Sequence, residues 1–251
     1  MFGCELQVAP TTDELILQNL ISNLLSHINL HPIIPTQPIM PDPKLISRLE
    51  PEIEDPEEET FLLYTQPIPS QNLGFIDRES RTVEVTVGDK EYTIHQSPSV
   101  LSSDRKGGTT GAVLWKVTPS FASWLVSPTN ILFQNDVLNS QSAVLELGCG
   151  ISPLNAFALS PRIATYTLSD QPYVQRFVEQ NISENQAPKP SKKKPGPPLG
   201  KINFTTLDWE TDTVTRALTC SNAHSSFDVV LACDCVFNYA LIEPFVSACA
   251  D

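Results

Sequence analysis

The chain has 251 residues, of which 41% are hydrophobic, and it carries a formal net charge of −13 at pH 7. This length suffices for an α/β domain with its own core and an additional tail. Because nucleic-acid-binding proteins usually present a basic face, the charge argues against direct DNA binding and favours a basic protein partner. No stretch approaches the roughly 18 apolar residues of a membrane helix, so no membrane association is predicted.

The six cysteines do not follow the spacing of a zinc site. They are interpreted as buried thiols, and no metal is expected. The first residues lack the charged head and apolar run of a signal peptide. A reducing compartment, the cytoplasm or the nucleus, is therefore predicted.

Residues 1–80 are predicted to form an amphipathic helix and a flexible, acidic, proline-rich linker. Residues 1–60 contain eleven Asp and Glu against two Lys and Arg, so −9 of the net charge lies there. Apolar residues after Thr12 recur at helical spacing, with a capping residue in front. The acidic run Glu50–Glu59 is interpreted as a solvated linker, with a docking site as the alternative.

Residues 81–130 are predicted to form a β-hairpin, a glycine-rich loop and an apolar helix. β-forming residues alternate in Thr82–Val87 and Tyr92–His95, on either side of a Gly-Asp-Lys turn. The following stretch, Gly107–Leu125, begins with glycines and continues with apolar residues and two tryptophans. These features alone predict a loop and a helix without a function.

Residues 131–251 are predicted to form the core of the domain, which is organised around Ser142–Gly150. The apolar residues of this stretch suit a strand that is buried in a parallel sheet. Gly148 and Gly150 would let the backbone turn tightly and approach a ligand closely. Pro153 begins the next predicted helix, so a ligand is expected over its N-terminus.

The residues around this turn favour one class of cofactor over another. A dinucleotide site of the NAD type needs a third glycine where Pro153 stands, so pyrophosphate binding is disfavoured. Glu146 would repel phosphates, yet it could reach the ammonium group of an amino-acid-bearing cofactor through backbone or water. S-adenosylmethionine satisfies that demand.

A second strand, Ala164–Asp170, is predicted to end in an acid that lies 24 residues beyond Glu146. A carboxylate at the carboxyl end of a strand can accept hydrogen bonds from both hydroxyls of a ribose. Asp170 is therefore the predicted ribose ligand. The alternative is that Asp170 caps the predicted helix Tyr173–Asn185, and one side chain could do both.

The predicted sheet continues after a lysine- and proline-rich insertion at residues 186–200. The insertion cannot continue a helix and is interpreted as a disordered, solubilising loop, with a contact to RNA or protein as the alternative. A third strand, Ile202–Leu207, precedes Trp209, and a flat apolar ring is suited to stacking on a purine. A fourth strand begins at Phe227 and ends at Asp234. Its three central residues are predicted to be buried on both faces: Val229, Val230 and Leu231.

Four motifs together resemble the seven-strand S-adenosylmethionine-dependent methyltransferases of family 16, which methylate lysines on proteins. The motifs are Thr110-Gly111-x-x-x-Trp115, Glu146-x-Gly148-x-Gly150, Leu207-x-Trp209 and Asp234-x-x-Phe237. The resemblance extends over residues 83–246 and implies an α/β, Rossmann-like fold. Only four parallel strands are predicted, and the sequence ends in the helix after the fourth, so an incomplete sheet is expected.

The resemblance also implies roles for individual residues. In the family, the first tryptophan of these motifs lies against the cofactor and the second flanks the adenine. Cys233 would offer its backbone to the cofactor, and Asp234 would orient the substrate amine. Phe237 departs from the family tyrosine because it keeps the ring but loses the hydroxyl group. The implied cofactor-binding residues are Trp115, Glu146, Gly148, Cys149, Gly150, Asp170, Trp209 and Cys233, and the implied catalytic residues are Asp234 and Phe237.

The resemblance implies a monomeric protein-lysine N-methyltransferase that uses S-adenosylmethionine. The last motif resembles the fungal ribosomal lysine methyltransferases, which implies a protein substrate, with a large-subunit ribosomal protein as one candidate. Two alternatives stay open. One is a non-catalytic cofactor-binding remnant or interaction module, because strands of the complete fold are not predicted. The other is an NAD-type dehydrogenase, which Pro153 and Glu146 oppose.

Overall fold

A computed structural model describes residues 43–47, 53–66, 74–105, 108–186, 199–220 and 226–251. The chain divides into two compact units, Met1–Gln71 and Asn72–Asp251. The predicted helix after Thr12 and residues 187–198 of the predicted insertion lie outside the described residues. Within the described residues, no helix has the length and apolar character needed to cross a membrane.

The described part of the first unit contains two helices, α1 (Pro43–Ile46) and α2 (Pro56–Thr65). The Asp55 side chain caps α2 by accepting hydrogen bonds from the backbone N–H groups of Glu57 and Glu58, at 3.0 and 3.1 Å. Proline at the first position and three glutamates in the first turn both favour a helix start. The prediction of a flexible linker is therefore wrong for Pro56–Thr65, although no residue of α2 is buried.

The second unit begins with the predicted hairpin, in which β1 (Thr82–Val87) pairs with β2 (Lys90–His95) in an antiparallel arrangement. Two asparagines of a later helix bind the free edge of β2. Asn181 Oδ1 accepts from the backbone N–H of His95 at 2.7 Å, and Asn185 Oδ1 accepts from that of Thr93 at 3.0 Å. These side chains satisfy an edge that would otherwise be unpaired and fix the hairpin to that helix.

Three short or medium helices follow the hairpin: α3 (Pro98–Leu101), α4 (Val117–Val126) and α5 (Ile131–Gln134). The predicted apolar helix is thus α4. Trp115 lies before its first residue, in an isolated bridge with Phe75. The ring of Trp115 packs against that of Phe75, with centroids 4.3 Å apart.

The core of the second unit is a parallel sheet of four strands in the order β5-β4-β3-β6. This arrangement confirms the Rossmann-like α/β class. The strands are β3 (Ala143–Leu147), β4 (Thr165–Asp170), β5 (Lys201–Thr206) and β6 (Val229–Ala232), and the helices that accompany them are α6 (Leu154–Leu159), α7 (Gln175–Gln186) and α8 (Tyr239–Ala250). The chain adds β4 and β5 on one side of β3 and then β6 on the other. The order therefore reverses between β3 and β6, which is where open α/β sheets bind ligands.

Burial follows strand position in this sheet. All five residues of β3 are buried because strands flank it on both sides. The prediction that the three central residues of β6 are buried on both faces is wrong: Val230 is 40% exposed, and Val229 and Leu231 are only half-buried. The reason is that β6, among the described strands, pairs only with β3.

Candidate active site

The candidate site lies where the carboxyl ends of β3, β4 and β6 meet. The Gly148–Gly150 turn follows β3, Asp170 ends β4, and residues 233–235 follow β6. The reversal of strand order brings these three segments together at the place where open α/β sheets form a ligand-binding crevice. The sequence motifs that were predicted separately are therefore neighbours in the fold.

Glycine is required at two positions of the turn after β3. Gly148 and Gly150 have φ values of 68° and 58°, which lie in the left-handed region. A Cβ atom on Gly148 would come within 2.7 Å of the Cys235 Sγ atom, and one on Gly150 would come within 3.1 Å of the Gly111 carbonyl oxygen. On the side of each Cα where a side chain would extend, the space is thus occupied by the protein itself. Cys149, between them, is buried, and its backbone N–H donates to the Ser169 carbonyl at 3.1 Å.

Asp170 joins the end of β4 to this turn. Its Oδ2 accepts a hydrogen bond from the backbone N–H of Gly150 at 2.8 Å, and its Oδ1 accepts from that of Gln171 at 2.7 Å. Burial raises the pKa of Asp170 to about 6, although both hydrogen bonds and the Arg105 charge act in the opposite direction. The alternative role predicted for Asp170 was a helix cap. Its hydrogen bond reaches only the N–H of the next residue, Gln171, and α7 begins at Gln175, so Asp170 does not cap α7 directly.

Glu146 lies beneath the turn, with only 1% of its surface exposed. Its carboxylate accepts hydrogen bonds from the Asn155 Nδ2 and the Tyr166 hydroxyl, at 2.7 and 2.8 Å. Burial raises its pKa to about 7, and the two donors partly oppose the shift. The Glu146 side chain therefore faces the core of the unit. It can affect a bound ligand only indirectly, by supporting the turn above it.

The two predicted cofactor tryptophans approach the turn from different elements. The Trp209 ring lies beside Gly148, where a Cβ atom would come within 3.2 Å of it, and meets Phe245 edge-on with centroids 5.1 Å apart. Its Nε1 is buried and has no hydrogen-bond partner in the described part of the chain. Trp115 Nε1 donates a hydrogen bond to the Thr110 carbonyl at 2.9 Å. Thr110 precedes Gly111, which contacts Gly150 of the turn.

The segment after β6 carries the predicted catalytic residues at the surface. The Cys235 Sγ donates to the Leu147 carbonyl at 3.2 Å, which ties this segment to the end of β3. Asp234 is exposed and has a φ of 61°, and partial desolvation raises its pKa. Phe237 is 62% exposed. Cys233 is half-buried and hydrogen-bonds with the Thr118 side chain, while burial raises its pKa.

Three residues that shape the site were missed at the level of sequence: Asn155, Tyr166 and Cys235. Strand alternation provides a signal for Tyr166, because its register with β3 places it on the same face as Glu146. Asn155 carries no such signal, since its contact depends on how α6 packs. For Cys235, the motif Asp234-x-x-Phe237 identified the segment as part of the site, but it gave no indication of the hydrogen bond from the thiol to β3.

The described cysteines differ in how far they are buried. Cys149 and Cys235 are buried as predicted, whereas Cys220 is exposed, and Cys4 lies outside the described residues. Across the described ranges, no group of three or more His, Cys, Asp or Glu side chains is arranged to hold a metal ion.

Known proteins with similar sequences match between 62% and 79% of this chain. The chain is 31% identical over 189 residues to ribosomal lysine N-methyltransferase 5 of Zygosaccharomyces rouxii, covering 62% of this chain and 58% of that protein. It is 26% identical over 230 residues to the protein of the same name from Kluyveromyces lactis, covering 71% and 70%. A Schizosaccharomyces pombe protein named diaminohydroxyphosphoribosylamino-pyrimidine deaminase is 29% identical over 199 residues, covering 79% and 44%.

The chain thus spans about half the length of two of these relatives, 44% of the fission yeast protein and 58% of the Zygosaccharomyces protein. Residues 95–251 match the lysine methyltransferase family, methyltransferase family 16, and include all of the parallel sheet. Because this match covers more than half of the chain and includes the motifs that predicted it, the chain belongs to the family-16 lysine methyltransferases.

Proposed function

We propose that the chain is an S-adenosylmethionine-dependent protein-lysine N-methyltransferase. The observation that carries the proposal is the hydrogen bond from the Gly150 backbone to the Asp170 carboxylate, with Trp209 beside Gly148. It brings a carboxylate and an indole ring together at the point where the strand order reverses. Ribose and adenine require these two kinds of group.

The residues of the crevice fit such a cofactor chemically. Each oxygen of Asp170 accepts one backbone hydrogen bond and keeps lone pairs for the hydroxyls of a ribose. The buried Nε1 of Trp209 is a donor without a partner among the described residues, and an adenosyl group carries nitrogen and oxygen acceptors. When bound, S-adenosylmethionine supplies a methyl group activated by a positively charged sulfonium. The turn Gly148–Gly150 with Cys149, the backbone of Cys233, and Trp115 complete the proposed binding residues, and Glu146 supports the turn from below.

Asp234 would hold the substrate amine at the open side of the crevice. Its exposed carboxylate can accept a hydrogen bond from the amine and orient it. Val236 and Phe237, which are 48% and 62% exposed, offer apolar surface to the aliphatic stem of a lysine. Positioning is expected to contribute most to catalysis, because solvent can take up the released proton.

The proposed substrate is a protein, and a large-subunit ribosomal protein is the first candidate. The names of the yeast relatives describe ribosomal lysine methyltransferases. Ribosomal proteins are basic, and the net charge of −13 favours a basic partner. We further propose that the protein acts as a monomer in the cytoplasm, with the nucleus as the alternative.

The departure at Phe237 favours one second candidate, a module that binds the cofactor without transferring the methyl group. The ring lacks the hydroxyl of the family tyrosine and is mostly exposed. Incubating the purified chain with tritiated S-adenosylmethionine and ribosomal protein extract separates the two candidates. Label on a protein band supports the enzyme. Cofactor binding without label would contradict catalysis, and no cofactor-induced rise in melting temperature would contradict both candidates.

A further inference from the structure

The inference concerns Tyr173 and rests on the proposed function. The segment before Trp115 lies directly against the cofactor turn. The Gly111 carbonyl accepts a hydrogen bond from the Ile151 backbone N–H at 2.9 Å. A Cβ atom on Gly111 would come within 3.2 Å of the Gly150 Cα. The two backbones therefore touch, and a small displacement of one displaces the other.

The hydroxyl of Tyr173 holds the other side of this contact. It accepts a hydrogen bond from the Gly111 backbone N–H at 3.1 Å. Tyr173 comes three residues after Asp170, whose carboxylate binds the Gly150 N–H. Residues 170–173 thus hold both partners of the contact, Gly111 through a hydroxyl and Gly150 through a carboxylate.

The ring of Tyr173 is itself fixed by Arg105. The guanidinium lies over the ring, 4.3 Å from its centroid. Its Nη1 donates to the Gln171 Oε1 at 2.9 Å and to the Gly108 carbonyl at 3.0 Å. Arg105 therefore connects the beginning of the glycine-rich loop to the segment after β4.

The end of that loop determines where Trp115 lies. The indole Nε1 of Trp115 donates to the carbonyl of Thr110, the residue before Gly111. We propose that Tyr173 is a positioning residue for the cofactor: its hydroxyl holds Gly111 against Gly150 and thereby sets the place of Trp115 at the proposed cofactor site.

The first test replaces Tyr173 with phenylalanine, which removes the hydroxyl and keeps the ring under Arg105. We expect the Kd for S-adenosylmethionine, measured by calorimetry, to rise about three- to tenfold, the equivalent of one hydrogen bond. The KM for the cofactor should rise in parallel, while kcat at saturating cofactor and the KM for the protein substrate change less than about twofold. The matched control is Tyr64→Phe, at a tyrosine of α2 that is 75% exposed.

A second variant tests whether Tyr173 acts through Gly111. In Gly111→Ala, the new Cβ would come within 2.8 Å of the Tyr173 hydroxyl and must push the segment away. We expect a larger loss of cofactor affinity than in Tyr173→Phe. Because both changes release the same contact, the double variant should bind no more weakly than Gly111→Ala alone. Additive losses would contradict the proposed route.

The outcomes separate this inference from the proposed function. If the unaltered chain does not bind S-adenosylmethionine, the proposed function fails and takes this inference with it. If the unaltered chain binds and Tyr173→Phe binds equally well, only the inference is overturned. A lower melting temperature of the ligand-free Tyr173→Phe protein, with unchanged cofactor affinity, would show a structural role and also overturn it.

Discussion

The two sides of the candidate site differ in how firmly the chain itself holds them. On the cofactor side, Gly150 is bonded to Asp170 at 2.8 Å, and Trp209 is packed between Gly148 and Phe245. On the amine side, Asp234 and Phe237 are exposed, and the Cys235 bond ties their segment to β3. The proposed cofactor site would therefore be organised before binding, whereas the proposed amine site would gain its contacts from the substrate.

The largest effect should come from the exposed side, because this side is proposed to carry the methyl transfer and not the cofactor binding. Asp234→Ala removes the group that is proposed to orient the amine, and we expect kcat to fall by at least about 100-fold. The Kd for S-adenosylmethionine should stay within a few-fold, because among the described residues the Asp234 side chain makes no hydrogen bond with the proposed cofactor-binding residues. Methyl transfer and calorimetry on the same preparation measure both quantities.

The control for this variant is Glu84→Ala, which removes an equal charge from an exposed position of β1. It should alter neither quantity. Unchanged turnover in Asp234→Ala would contradict the proposal that Asp234 orients the amine. It would also contradict the division of the site into a cofactor side and a catalytic side.

For Asp170 the main effect is expected on cofactor affinity, the quantity that Asp234→Ala should leave nearly unchanged. Asp170→Asn removes the charge that holds the Gly150 N–H and the proposed ribose hydroxyls, so cofactor affinity should fall about 10- to 100-fold. Titration calorimetry gives the Kd directly. Asp89→Asn, in the hairpin turn, is the matched control. Affinity equal to that of the unaltered chain would show that Asp170 does not face the cofactor.

A smaller effect should appear as a pH dependence on the cofactor side. Because the pKa of Asp170 in the folded chain is about 6, above its ordinary value of 3.8, its ionisation reduces the stability of the free protein as the pH rises from 3.8 to 6. A cationic cofactor favours the ionised form. Its affinity should therefore fall as the pH is lowered through 6, by up to about tenfold per pH unit.

Calorimetry across this range checks the dependence. The contribution of Asp170 should disappear in Asp170→Asn, because asparagine does not titrate. An affinity that is constant between about pH 5 and pH 8 would contradict the assignment of Asp170 as a desolvated cofactor ligand.

The smallest effect concerns the departure from the family motif. Phe237→Tyr restores the phenol hydroxyl, and we expect kcat to rise by about two- to fivefold if that group shares in holding the amine. Phe61→Tyr, at a position of α2 that is 68% exposed, is the control for adding a hydroxyl. A lower kcat in Phe237→Tyr would show that the site is built around the unsubstituted ring.

Local sequence patterns predicted the frame of the domain well. The apolar run of β3, the alternation in β1 and β2, and the acid that ends β4 all lie where they were expected. In each case the determining interactions are near in sequence or follow the strand period. The helix α2 was missed because its composition was interpreted as a linker, although Asp55 and Pro56 are ordinary helix-start residues.

The interior of the site required tertiary information. Glu146 was expected to act toward a ligand, but its carboxylate binds Asn155 and Tyr166 in the core. Val230 was expected to be buried, and only the strand order shows that it lies at the edge of the sheet formed by the described strands. The glycines of the turn were expected to permit a tight turn and a close approach to a ligand, but the contacts with Cys235 and Gly111, which also exclude a Cβ, were not predicted. None of these contacts follows from neighbours in sequence.

The central claim is that Asp170, Trp209 and Trp115 surround one adenosyl cofactor at the Gly148–Gly150 turn. A crystal structure of the chain with S-adenosylhomocysteine tests it most directly. We predict that the ribose hydroxyls bind the Asp170 carboxylate and that the adenine lies beside Trp209, with Trp115 facing the same ligand. An adenosyl group bound elsewhere, or these three side chains facing separate cavities, would contradict the account.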